Sequence, residues 1–196
     1  QEGVGQKEIP TNLPVHRQGR ERGHGLCGIS GAASASTVHL RHGPSDRVDT
    51  DIGKITTEKQ FTTISQQVNE AIQAGATIRA QSTIHQTNTT DYTYPATLLE
   101  NVNHHMSIMK EETFGPILCL MKFKTIEEAI FLANDATLAL TSSIWTKNTK
   151  KAKEIALKLE SGVTTINDHI YTHALTETPG GGWKESGIGR THGEAG

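Results

Sequence analysis

The chain has 196 residues, with 19 Lys and Arg against 21 Asp and Glu and a formal net charge of −2, so a nucleic-acid binder working by bulk positive charge is excluded. Hydrophobic residues make up 34% and aromatics 5%, which is too little for an apolar core running from end to end. No run approaches the roughly 18–20 apolar residues of a membrane span, and the N-terminus lacks the apolar core of a signal peptide.

Residues 1–44 read as a mostly irregular extension. Residues 1–50 contain eight of the 19 Gly and no Phe, Tyr, Trp or Met. Such a stretch cannot bury enough side chain to offset backbone ordering, about 1–2 kcal/mol per residue. A domain is expected over residues 45–196, and from about Thr50 the pattern becomes regular. The spacing of Phe61, Ile64, Val68, Ala71 and Ile72 predicts an amphipathic helix after Thr57, stopped by Gly75. Residues 76–79 then read as a short strand and residues 81–92 as a polar loop or hairpin. Residues 95–99 read as a strand with Pro95 at its start.

The apolar run 116–123 has the length of a buried strand, and 126–133 reads as a helix. Residues 141–146 are strand-like. Asn148 can cap a helix bearing Ala152, Ile155, Ala156 and Leu159, with Gly162 closing it. Residues 163–167 form a further strand, and 179–196 return to loop. Strands alternating with helices predict an α/β fold with a largely parallel sheet.

Cys27 and Cys119 follow no CxxC spacing. Two cysteines are too few for a disulfide-stapled secreted scaffold and fit a reducing, cytoplasmic location. The ten His do not form a metal site by spacing. His169 and His173 lack a third ligand, and His24 with Cys27 is an isolated HxxC pair, whereas zinc needs three or four converging ligands. No metal is expected. The glycines at 187, 189 and 193 lack the following βαβ unit of a phosphate loop.

Glu111-Glu112-Thr113-Phe114-Gly115-Pro116 places a turn, a carboxylate and an aromatic ring at the mouth of the apolar strand. A carboxylate can accept two ribose hydroxyl hydrogen bonds, and an aromatic face can back a planar ring. The same residues also suit a polar turn with an anchoring Phe.

That segment resembles the motif by which the aldehyde dehydrogenase superfamily holds the nicotinamide ribose of NAD(P). Other segments match the family in the same order. These are Asp49–Gly53 with Glu58-Lys59-Gln60, Glu127–Ile130 with Ala133-Asn134-Asp135, and Ser142–Thr146. Leu159–Gly162, Ile166–Asp168 and Pro179–Arg190 complete the series. The resemblance covers about residues 43–196 and implies the three-layer α/β catalytic domain of that family, in part. It implies that Glu112 grips the nicotinamide ribose, that Phe114 lies against the nicotinamide, and that Asn167 lies near the substrate mouth. It makes Lys184–Arg190 mainly structural. The implied reaction oxidises an aldehyde to a carboxylic acid with NAD or NADP as cofactor and an aldehyde as substrate.

Family members use a cysteine nucleophile, a glutamate general base and an oxyanion-holding Asn, and a cysteine segment reading roughly "GQxC". Cys27 is the one candidate for that nucleophile here. Gly43 follows Cys27 by only 16 positions, too few for the strand and helix the family places there. Cys119, inside the apolar strand, reads as a buried, inert thiol. The general base and the dinucleotide-binding domain have no match, so the chain is expected to be truncated and inactive alone. Gly180 stands where the family carries an aromatic residue, and Leu138-Ala139-Leu140 where it has "YGL". The expected partners are a homo-oligomer or a full-length paralogue, with the alternative that the chain is a non-catalytic interaction module docking to such a paralogue. No nucleic-acid or membrane partner is expected.

Overall fold

Thr57 starts the first long helix for a local reason. Its Oγ1 accepts the Gln60 N–H at 3.2 Å, satisfying one of the donors that a helix start leaves open. From there Glu58–Gln73 (α1) buries Ile64, Gln67, Val68 and Ala71 along one face. Gly75, at φ +104°, takes the chain out of the helix in a conformation that disfavours any side chain. The computed structural model describes residues 33–84, 92–168 and 176–195. Cys27, His24, His169, His173, the first 32 residues and 85–91 of the polar run lie outside them.

The chain divides into two compact units. Of the described residues, the first unit takes 33–84, 92–102 and 113–120, and the second takes 103–112, 121–168 and 176–195.

In the first unit a three-stranded sheet joins Thr77–Gln81 (β1), Thr97–Glu100 (β2) and Ile117–Leu120 (β3), with β2 in the middle. β2 runs parallel to β3, Thr97 facing Ile117 and Glu100 facing Leu120. β1 runs antiparallel to β2, with an irregularity between Ile78 and Ala80. Leu98 and Leu99 point to opposite faces, yet both are fully buried, as a central strand requires. Ala80, Leu98 and Leu120 form a core against which Ala33 packs. Buried Thr97 is fully used: its hydroxyl donates to the Pro95 carbonyl at 2.9 Å and accepts from Gln81 Nε2 at 3.0 Å.

The second unit begins with a 3₁₀ turn, Ser107–Met109. Ile126–Asn134 (α2) starts at Thr125, whose Oγ1 accepts the Glu128 N–H, while the Glu128 carboxylate reaches back to the Lys124 N–H at 2.6 Å. Leu138–Ala139 (β4) and Thr141–Ile144 (β5) follow. Asn148 Oδ1 accepts the Lys151 N–H at 2.9 Å and opens Thr149–Ala156 (α3). β5, α3 and Val163–Ile166 (β6) form a βαβ unit whose strands pair parallel, Thr141 facing Val163 and Ile144 facing Ile166. Ile144, Ala152, Ile155 and Leu159 make its core, with Ile126, Ile130 and Ile166 packed against them.

The α/β class holds, and three local expectations are corrected. The ladders are not largely parallel, because β1–β2 and the pairing of β4 with Trp183–Lys184 are antiparallel. The 179–196 stretch is not all loop. Trp183–Lys184 (β7) pairs with β4, Gly180 bridges Thr191, and Gly193–Ala195 forms a 3₁₀ turn. In the part of the mostly irregular stretch that is described, residues 33–38 are helical and His42 bridges Ile52. Finally, α3 ends at Ala156 with Leu157 as its cap, and Gly162 serves a different purpose. A Cβ on Gly162 would sit 1.7 Å from the Gly181 carbonyl oxygen, so a glycine is needed for two backbones to touch. Among the described residues no helix is long and apolar enough to cross a membrane.

Candidate functional site

Phe114 lies in the first unit, in the turn leading into β3. Pro116 is buried, its carbonyl accepts the Thr97 N–H at 2.9 Å, and the strand pairing begins there. Just before it, Phe114 adopts φ +42°, and the residue is 70% exposed. A non-glycine residue in the left-handed region costs about 1–3 kcal/mol and persists only where surrounding contacts impose it. Two contacts do so. Gln60 Nε2 donates to the Thr113 carbonyl at 2.6 Å and reaches the Phe114 carbonyl at 3.4 Å. Gly115 lies against Ile64, where a Cβ would come within 2.5 Å of Cδ1.

Glu112 lies in the second unit, with its side chain exposed. It ends a segment anchored by buried Met106 and Ile108 and by the 3₁₀ turn, where the Lys110 and Glu111 N–H groups both donate to the Ser107 carbonyl. Lys110 Nζ stands 3.0 Å from Asp135 Oδ2, and His104 Nδ1 stands 3.4 Å from the same oxygen. The hydrogen bond from Lys110 is the main reason that Asp135 lies below the ordinary carboxylate range. Asp135 caps the C-terminus of α2, where a carboxylate meets the negative end of the helix dipole; the Lys110 ammonium offsets that.

Asn167 sits at the end of β6 with φ +57°. Its amide is occupied by backbone, since Oδ1 accepts the Thr146 N–H at 2.8 Å and Nδ2 donates to the Thr146 carbonyl at 3.0 Å. The neighbouring Asp168 carbonyl accepts the hydroxyls of Ser143 and Thr165. Lys184 also binds main chain: its Nζ lies 2.5 Å from the Asn134 carbonyl, 2.9 Å from the Ala136 carbonyl and 2.8 Å from Glu160 Oε2. Those contacts give Lys184 the structural part expected of its segment. Arg190 likewise donates to the Gly182 and Gly189 carbonyls.

Cys119 is buried in β3, and burial pushes its thiol up to about 11, which disfavours the reactive thiolate. Cys27, the other sequence candidate, lies outside the described residues. His42 presents Nε2 to Ser82 Oγ at 2.5 Å, and that oxygen also accepts the Ala96 N–H at 2.8 Å. Burial lowers the His42 pKa below its ordinary value. Among the described residues no three His, Cys, Asp or Glu side chains converge as a metal site.

The sequence pattern singled out Glu112 and Phe114 but assigned Gln60 no part. Its contact with Thr113 spans 53 positions, and a glutamine in the first turn of an amphipathic helix carries no signal of such reach.

Comparison with known proteins accounts for most of the chain. Residues 30–196 match the sequence model of the aldehyde dehydrogenase family, starting well before the expected limit near residue 43. An aldehyde dehydrogenase of Paenarthrobacter nicotinovorans is 37% identical over 141 residues, covering 72% of this chain and 30% of the relative. The lactaldehyde dehydrogenase of Escherichia coli (strain K12) is 37% identical over 158 residues, covering 78% and 31%. Among solved structures, betaine aldehyde dehydrogenase from Staphylococcus aureus in complex with NAD+ matches with a TM-score of 0.78 at 31% identity, over 87% of this chain and 34% of that one. A Mycobacterium tuberculosis aldehyde dehydrogenase complexed with NAD+ gives a TM-score of 0.79 at 30% identity, with 87% and 35% covered. The chain spans about a third of the length of the curated relatives it matches.

Proposed function

The chain belongs to the aldehyde dehydrogenase family, and from that premise we propose that Glu112 and Phe114 receive the nicotinamide-ribose end of NAD or NADP during oxidation of an aldehyde to a carboxylic acid. The observation that carries this reading is Phe114, an exposed ring on a strained backbone at the mouth of a buried strand. Exposed aromatic surface held at a conformational cost is a mark of a ligand-contacting position. The residues suit the group. Glu112 offers an exposed carboxylate that accepts hydroxyl hydrogen bonds, and Phe114 offers an apolar face for a planar ring. When bound, the nicotinamide supplies the acceptor for hydride from the substrate. This chain's own residues bind and orient: Glu112 by accepting the ribose hydroxyls, and Phe114 by fixing the plane of the ring.

The segment present here is proposed to contribute part of a catalytic domain and not to turn over aldehyde by itself. Cys119 is too deeply buried and too weakly acidic to act as the nucleophile. Incubating the purified 196-residue chain with NAD+ or NADP+ and a panel of aldehydes is expected to give no reduced nicotinamide signal at 340 nm. Turnover abolished by Cys27→Ala would contradict this and would assign the nucleophile to Cys27.

A further inference from the structure

Phe114 poses a mechanical problem that its own side chain does not solve. The residue is 70% exposed, so burial does not hold it, and its φ of +42° is one that an unrestrained chain leaves. The restraint has to come from the main chain around it. That main chain is gripped by one face of α1. Gln60 and Ile64, one helical turn apart, are neighbours on the helix surface. Gln60 Nε2 donates to the Thr113 carbonyl at 2.6 Å and approaches the Phe114 carbonyl at 3.4 Å. Ile64, fully buried, lies under Gly115 so closely that a Cβ there would be 2.5 Å from Cδ1 and 3.0 Å from Cγ1.

The helix itself is firmly set. Thr57 caps its start, Phe61 meets Tyr92 and Tyr94 with ring centroids 5.9 and 5.7 Å apart, and Ile64, Val68 and Ala71 are buried. We infer that Gln60 is a positioning residue: its amide donor, with Ile64 as the floor, sets the backbone of Thr113–Gly115 and through it the plane of the Phe114 ring. The inference rests on the proposed contact between Phe114 and the nicotinamide. The chemistry demands an amide here. Both targets are carbonyl oxygens, so a donor is needed, and a carboxylate of the same shape would face them with acceptors only.

The test uses the full 196-residue chain, nitrogen-15 relaxation, and titration with nicotinamide mononucleotide, which carries only the ring, ribose and phosphate. Gln60→Glu and Gln60→Met are expected to lower the amide order parameters of Thr113–Gly115 from about 0.85 to below about 0.6. They are expected to weaken nucleotide binding about fivefold while the helical circular dichroism is retained. Gln66→Met, on the same helix, is expected to change neither. Unchanged order at 113–115 in both Gln60 variants, or equal loosening in Gln66→Met, overturns the inference. Phe114→Ala separates the two claims. If it leaves nucleotide binding intact while Gln60→Met loosens the turn, the anchor stands and the nicotinamide contact falls. If it weakens binding while Gln60→Met leaves the turn ordered, the contact stands and the anchor falls.

Discussion

Asn167 holds Thr146 by both atoms of its amide, one accepting the Thr146 N–H and the other donating to the Thr146 carbonyl. The pair joins the ends of β5 and β6, and Asn167 does this from φ +57°, a conformation asparagine tolerates better than most residues. Asn167→Ala removes both bonds and places a less tolerant residue at that φ. A loss of about 1–3 kcal/mol is expected. Asn167→Gly relieves the backbone but not the lost bonds, so its denaturant midpoint should fall between those of the parent and Asn167→Ala.

The backbone of Gly162 lies so close to the Gly181 carbonyl that the position admits no side chain. Gly162→Ala must push apart two main-chain segments, a change of the overpacking kind that costs about 1–3 kcal/mol or more. Chemical denaturation should show the loss. A neutral effect would mean that the 180–182 loop moves away freely.

Gln67 is the reverse case, a polar side chain in an apolar place. It is 4% exposed on the core face of α1, and neither Nε2 nor Oε1 has a partner among the described residues. An unpaired buried amide costs about 1–3 kcal/mol. Gln67→Leu and Gln67→Met are therefore expected to raise the thermal midpoint, and a fall would show that the amide has a partner.

His42 should make stability depend on pH. Burial lowers its pKa in the folded chain, so the unfolded chain binds its proton first. Stability is complete above the ordinary histidine value near 6.5, falls as pH drops through it toward the lower folded value, and levels off below that. His42→Gln should flatten this part of the profile when midpoints are measured between pH 8 and pH 5. An unchanged slope assigns the dependence to other groups.

Cys119 should be silent toward thiol reagents in the native state. With its thiol pushed up to about 11, about one part in a thousand is thiolate at pH 8, and burial hinders access further. In a Cys27→Ala background, alkylation should proceed only as fast as the chain opens, and denaturant should accelerate it by orders of magnitude.

The elements legible in the sequence were those with a period and a cap. Thr57 with the Ile64–Val68–Ala71 spacing located α1, Asn148 located the start of α3, and the apolar run after Pro116 located β3. The two-residue pairing of β4 with β7 has no period to detect, and the polar stretch 81–92, legible as a loop or a hairpin, does not fix the direction of β1 beside β2. Gly162 looked like a helix stop because glycine serves both ends of a helix and close backbone contacts; only the position of Gly181 distinguishes them. At the site, the residue types of Glu112 and Phe114 announced their chemistry. The left-handed backbone of Phe114 did not show, since phenylalanine rarely adopts it, and neither did the hand of Gln60 upon it.

The measurement that bears most directly on the account is titration of nicotinamide mononucleotide into the nitrogen-15-labelled chain, with Glu112→Gln and Phe114→Ala alongside. Amide shifts are expected to concentrate at residues 111–115. Glu112→Gln is expected to raise the dissociation constant about tenfold or more, as loss of hydrogen bonds to a charged acceptor, about 1.5–3 kcal/mol, requires. Shifts clustered elsewhere, or the same dissociation constant in the parent and both variants, would contradict the assignment of this site.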